Sequence, residues 1–284
     1  IDGYRYKYSY LDTCEFIVGA TSAPAFIRLN GVYSSTETWT PGGNLFFSNL
    51  NFQGNSSVAS RPQAAIRVNT VDGLYINQMH TQHCDYSILF APENNNYNNK
   101  ISEVKVQNSY FDDPNTGGAC IDFRGTVVAS STYQNCHFYN CYFRGADKAN
   151  TGIQFTVTDG GSGISPKNIS IYNSHFSQFV QFPLYFAGTL SAGKVELDNL
   201  KVHNCLIEDS NFGNASAYEI ASLSVSSLTF TGNTIKAAAN LGSTAGMLVT
   251  SSKNNANCLI TDNNFSASGR TIANAVLITY TGPG

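Results

Sequence analysis

The chain has 284 residues and a formal net charge of −3, with charged side chains at only 12%, against roughly 25% in an ordinary globular domain. It contains no basic cluster of the kind nucleic acid requires, and no run of about 18 apolar residues that could insert into a membrane. Its polar surface must therefore come from Asn, Ser, Thr, Gly and Tyr, which suit hydrogen bonding and ring stacking on neutral or weakly charged polymers, sugars above all.

The chain begins at Ile1 rather than Met and shows no signal peptide, which reads as a fragment or a processed product. Residues 1–43 are the least regular part and read as an N-terminal cap or irregular first coils. Ile1 to Tyr10 alternates with tyrosines on one face, and Glu15 to Val18 and Phe26 to Leu29 look like further strands. Pro41-Gly42-Gly43 is a turn. From residue 44 to 284 a repeat takes over, and one β domain is expected.

The clearest copy of the repeat is Ile169-Ser170-Ile171-Tyr172-Asn173-Ser174-His175-Phe176, in which apolar residues alternate up to an asparagine and resume after it in shifted phase. Such alternation marks strands with one buried face, and the asparagine marks a bend. The pattern returns around Asn49, Asn77, Asn108, Asn135, Asn204, Asn233 and Asn263. Together with Asn173 these pivots are spaced 28, 31, 27, 38, 31, 29 and 30 residues apart. A period near 30 without helix-like segments is the signature of a solenoid.

A third short apolar strand follows each pivot. These strands are Ala65 to Val68, Ser87 to Phe90, Cys120 to Phe123, Gly152 to Phe155, Pro183 to Phe186, Tyr218 to Ile220, Gly246 to Val249 and Ala275 to Ile278. Three strands per repeat, each with an apolar inner face, wind into an all-β, single-stranded right-handed parallel β-helix of about eight or more coils. Like residues then fall on like at about 4.8 Å. Phe52, Phe111, Phe138 and Phe176 are expected to form an internal ring stack, and the pivots an Asn ladder that satisfies bend backbone.

Seven cysteines, Cys14, Cys84, Cys120, Cys136, Cys141, Cys205 and Cys258, show no paired spacing. Cys136 and Cys205 take the position just after the pivot that Ser109 and Ser174 hold in other copies, so small buried residues are expected there. His137 and His175 likewise take one shared position, two residues after the pivot, without a third ligand in register. No metal and no cofactor are expected.

On these residues the chain resembles the right-handed parallel β-helix superfamily, the pectate-lyase-like fold, over roughly residues 44–280. Its Asn-, Ser-, Thr- and Tyr-rich composition is most similar to the β-helix domains of bacteriophage tailspikes and polysaccharide depolymerases. That resemblance implies a homotrimer on the virion tail, or otherwise extracellular, that binds bacterial surface polysaccharide (O-antigen or capsule) and cleaves it with paired carboxylates.

Chemistry on a β-helix is sought on outward columns, where spatial neighbours lie one repeat apart. On the third strand these positions read Arg67, Leu89, Asp122, Gln154, Tyr185 and Glu219. Asp122 stands beside Arg124, and the nearby loops carry Asp112 and Asp113 on one coil and His83 and Asp85 on the coil before. Two carboxyls act on glycosides when about 5–5.5 Å apart (retention) or about 6.5–9.5 Å apart (inversion), separations that stacked coils supply. Asp122 with Asp113, Asp112 or Asp85 is the expected catalytic set. Arg67, Arg124, His83, Gln154 and Glu219 are expected to bind substrate, the arginines splitting the carboxyl pKa values.

A second acidic cluster is Glu208, Asp209 and Glu219, near His203. Trp39, Tyr97, Tyr139, Tyr142 and Tyr172 would suit sugar stacking. Asn69-Thr70-Val71-Asp72 and Asp112-Asp113 echo two parts of the polygalacturonase pattern, but its Gly-His-Gly and Arg-Ile-Lys parts are missing. A pectate-lyase-like calcium cluster would draw on Asp112, Asp113 and Asp122 beside Arg124. Alongside hydrolysis, two alternatives stay open: a non-catalytic adhesin or receptor-binding fibre, and a polysaccharide lyase.

Overall fold

A computed structural model describes residues 2–3, 9–17, 25–29, 42–57, 61–91, 100–114, 118–125, 132–147, 149, 151–157, 166–180, 182–188, 198–208, 220–223, 226–236, 245–251, 257–266 and 274–280. The described residues are all-β, and every strand pairing is parallel. They form a β-helix in which each coil adds one strand to a 10-stranded sheet and one bent or split strand to a 15-stranded sheet.

The 10-stranded sheet is made of the third strands, running from Asp2–Gly3 through Ala25–Leu29, Ala64–Val68, Tyr86–Phe90 and Ala119–Gly125 to Asn274–Tyr280. Its inward column reads Ile27, Ile66, Ile88, Ile121, Ile153 and Leu184. β-branched side chains recur because each packs on its twin one coil away while facing the lumen. Beside it Phe90, Phe123 and Phe155 stack at 4.3 and 4.2 Å. The stacking already includes Ser9–Ile17, which pairs in register with Leu45 to Gln53, and Ala25–Leu29, which pairs with Ala64–Val68.

The 15-stranded sheet bends where the sequence places its pivots, but not at every asparagine expected. The residues in register at the bend are Asn49, Gln78, Asn108, Asn140, Asn173, Asn204, Gly232 and Asp262, all with φ between 49° and 67°. Asn77, Asn233 and Asn263 are each displaced by one residue. Asn135 is displaced by five, because Tyr139 pairs with Gln107 and Tyr172 and so sets Asn140 opposite Asn108 and Asn173. The corrected spacings are 29, 30, 32, 33, 31, 28 and 30, and the irregular 27 and 38 disappear.

The physical reason is a second left-handed column at the start of the same strands: Asn44, Gly73, Glu103, Asn135, Asn168 and Asn199. An asparagine reaches φ > 0 more cheaply than other β-carbon residues because its short amide bonds locally. Both bends therefore select it, and both write apolar alternation around it. Amide-to-amide bonds tie each column together. Asn108 Nδ2 donates to Asn77 at 2.9 Å and Asn140 to Asn108 at 3.3 Å; Asn168 donates to Asn135 and Asn199 to Asn168, each at 2.9 Å.

Three further expectations shift with the register. Cys141, not Cys136, holds the position of Ser109, Ser174 and Cys205, while Cys136 faces the lumen between Val104 and Ile169. The ring stack runs Phe111, Phe143, Phe176 at 5.1 and 4.6 Å, with Phe138 one column over beside Val106 and Ile171. Thr81 takes the Phe position between Phe52 and Phe111. His137 and His175 do not share a column: His137 lies before the bend with Lys105 and Ser170, His175 after it with Tyr142.

Candidate functional site

The expected catalytic carboxylates are divided among separate ion pairs. Asp122 lies on Ala119–Gly125 in register with Arg67, Leu89, Gln154 and Tyr185, as its column requires. Its side chain is fully buried, and Arg124 Nε donates to Oδ2 at 2.6 Å. Arg124 also bonds the Tyr86 hydroxyl and lies 4.7 Å over its ring, while burial raises the Tyr86 phenol above its ordinary value. Asp113 is buried against His83 Nδ1 at 2.6 Å and Arg61 at 3.4 Å. Asp112 is buried and receives Arg144 Nη1 at 3.3 Å on both oxygens.

The remaining expected residues are scattered around these pairs. Asp85 is half-buried, its amide bonded to Pro62. Arg67 donates to Gln63 at 3.2 Å, and Gln154 accepts from Thr151 at 2.9 Å. Glu219, Asp209, Trp39 and Tyr97 lie outside the described residues. A calcium ion takes six to eight converging oxygens. Asp112, Asp113 and Asp122 each turn to a different cation, and among the described residues no three His, Cys, Asp or Glu side chains gather as a metal site. The residues do not fit that cluster.

The outward face of the strand before the bend offers a different arrangement. Strand alternation puts two columns there. One reads Tyr10, Phe46, Tyr75, Lys105, His137, Ser170 and Lys201; the other reads Asp12, Ser48, Asn77, Gln107, Tyr139, Tyr172 and His203. Tyr10 and Phe46 are 71% and 42% exposed, unusual values for such large side chains. Phe46 stacks on Tyr75 at 4.9 Å. Together with Ser48, Asn77, Lys105 and Gln107 they line an open cleft of about 270 Å³.

Further along the same face Tyr139, Tyr172 and His203 stack at 5.2 and 4.9 Å, nearly parallel, and Lys105 Nζ sits 5.5 Å over the Tyr139 ring. Burial and then Tyr172 raise the Tyr139 phenol above its ordinary value; burial and then Lys201 lower the His203 imidazole. At the other end Asp12 accepts from Ser48 and, at 2.8 Å, from Asn49 Nδ2, and these bonds lower its carboxyl. The strip thus presents the edges of stacked rings beside amide and hydroxyl groups, with the exposed Tyr10 and Phe46 at one end.

No protein-family model matches the chain, and no curated protein sequence matches it. Among solved structures the chain is similar to the crystal structure of PfbA, a surface adhesin of Streptococcus pneumoniae. The identity is 13%, the match covers 96% of this chain and 72% of that one, and the TM-score is 0.38. So loose a likeness leaves function to be argued from the chain's own geometry.

Sequence reasoning had singled out Tyr139 and Tyr172 but missed Phe46, Tyr75, Lys105 and Lys201. The signal was present in the alternation itself: these are the outward residues of the strand before each bend.

Proposed function

We propose that this β-helix is an extracellular polysaccharide-binding protein that receives its ligand along the outward face of the strand before the bend. The observation that carries the reading is the cleft of Tyr10, Phe46 and Tyr75 with Ser48, Asn77 and Gln107 on its polar side. Pyranose rings have apolar C–H faces and polar rims, so they need flat aromatic surfaces flanked by hydrogen-bonding groups. Coil stacking at about 4.8 Å repeats that pairing at close to the length of one sugar ring. A linear polymer is the ligand that fits a repeating site.

The test is binding of capsule and O-antigen preparations by the whole chain. Phe46→Ala with Tyr75→Ala should weaken binding about tenfold or more, near 1.4 kcal/mol, while the folded state loses no more than the stacked pair's own contribution, about 0.5–1.5 kcal/mol. Equal binding by the double variant would remove the cleft from the reading.

A finer reading makes the protein a trimeric, tailspike-like hydrolase acting through Asp122 with Asp113 or Asp85. What supports it is the placing of the buried Asp113 carboxylate 2.6 Å from His83 Nδ1 and 3.4 Å from Arg61, residue types that acid–base chemistry uses. The same incubations sort the cases. Shortened oligosaccharides lost in Asp122→Asn support hydrolysis at that site, products absorbing in the ultraviolet a lyase, and intact polymer binding alone.

A further inference from the structure

Among the described residues, cations differ in whether an acid holds them. Arg61, Arg124, Arg144 and Lys236 are paired with Asp113, Asp122, Asp112 and Glu208. Lys105 and Lys201 form no ion pair among the described residues. Both lie in one column of the strip argued above to receive polysaccharide, with His137 and Ser170 between them.

Charge is segregated on this face. From Phe46 to His203 the two columns of the strip contain no carboxylate, and neither does the adjoining bend column from Asn49 to Gly232. The nearest carboxylates, Asp72, Glu103 and Asp198, lie toward the start of the strands, where Glu103 bonds Asn135, Asp72 bonds Ser102 and Asp198 bonds Ser226. Lys105 is exposed and three coils from Lys201, about 14 Å by the stacking distance. The His137 imidazole between them is held below its ordinary value, by burial first and with both ammoniums contributing against Glu103. Two ammoniums without an ion pair among the described residues, beside a stack of rings in a chain with a net charge of −3, make this face locally more positive than the chain as a whole.

We infer that the ligand of this strip is an acidic polysaccharide, whose anionic groups meet Lys105 and Lys201 while its hydroxyls run along the edges of Tyr139 and Tyr172. The inference rests on the polysaccharide-binding reading and names its substrate class. Lysine suits the role because a compact ammonium on a flexible stem follows an anion whose position varies along a polymer.

The experiment compares binding of alginate, hyaluronate and polygalacturonate with binding of their carboxyl-reduced forms and of dextran. Preference for at least one acidic polymer, weakening as salt rises from ~0.05 to ~0.5 M, is expected. Lys105→Gln with Lys201→Gln should weaken it about three- to tenfold and flatten the salt dependence, whereas Lys167→Gln, exposed outside the two columns, should leave it unchanged. Equal binding of an acidic polymer and its reduced form, or an unaffected double variant, overturns the acidic ligand and leaves polysaccharide binding standing. Binding to none of the polymers overturns both.

Discussion

The register of the coils is the claim on which every column in this protein depends, and ring stacking provides a direct way to test it. Phe143 and Phe176 are fully buried and stack at 4.6 Å with planes 8° apart. Phe138 is equally buried, but its neighbours in register are Val106 and Ile171. Single Phe→Leu substitutions keep most of the apolar volume and should cost about 1 kcal/mol each, so they cannot tell the two columns apart. The double-mutant cycle can. A stacked pair is worth about 0.5–1.5 kcal/mol beyond its buried area, which is the coupling expected between Phe143→Leu and Phe176→Leu.

Phe138→Leu with Phe176→Leu should instead be additive within about 0.5 kcal/mol. The assay is equilibrium urea unfolding of the four proteins in each cycle. The slope must be the same in all of them, since solenoids lose cooperativity when one interface weakens. Coupling as large for Phe138 as for Phe143 would refute the bend at Asn140 and restore the one at Asn135.

Two further outcomes follow from burial and charge. Burial pushes the thiols of Cys84, Cys141 and Cys205 up to about 12 and raises those of Cys120 and Cys136. Because the thiolate is the reactive form, the folded protein at about pH 8 should label rapidly only at the half-buried Cys14 and Cys258, and at all seven cysteines in urea; rapid native labelling of Cys84 would contradict its place in the core. The Glu208 carboxyl lies below its ordinary 4.5: burial alone would raise it, and the bond from Lys236 with the charges of His175 and Lys236 outweighs that. A carboxyl lowered on folding supports stability above its unfolded value and loses that support as pH falls through the folded one. Glu208→Gln should therefore reduce the fall in urea midpoint below about pH 4.5, by a small amount because the site is partly solvated, and an identical acid limb would show that the pair contributes nothing.

Much of the fold is legible along the chain because a solenoid repeats one local solution. Alternation around Asn173, Asn108 and Asn204 sets strand, bend and inner face, and the third-strand column from Arg67 to Tyr185 follows by counting. Asn135 shows where counting fails. Both Asn135 and Asn140 sit at left-handed bends within apolar alternation, so local pattern accepts either one. A longer match, in which Asn140-Cys141-Tyr142-Phe143 reads like Asn108-Ser109-Tyr110-Phe111, favours the right one. Only pairing with two neighbouring coils enforces it.

The site divides in the same way. Residue types alone set the expectation of sugar rather than nucleic acid, because a surface poor in charge and rich in Asn, Ser and Tyr suits hydrogen bonding to a neutral or weakly charged polymer. Charge alone also drew attention to Asp112, Asp113 and Asp122, and sequence has no means of showing that Arg144, Arg61 with His83, and Arg124 each claim one of them. Pairing is decided by which side chains the coils bring within bonding distance across 32, 52 and two residues of chain. By the same physics Lys105 and Lys201 form no ion pair among the described residues: stacking sets them in columns whose other members are rings, amides and hydroxyls. The sequence determines the coil; the stacking of coils decides which of the described charges pair within the scaffold and which do not.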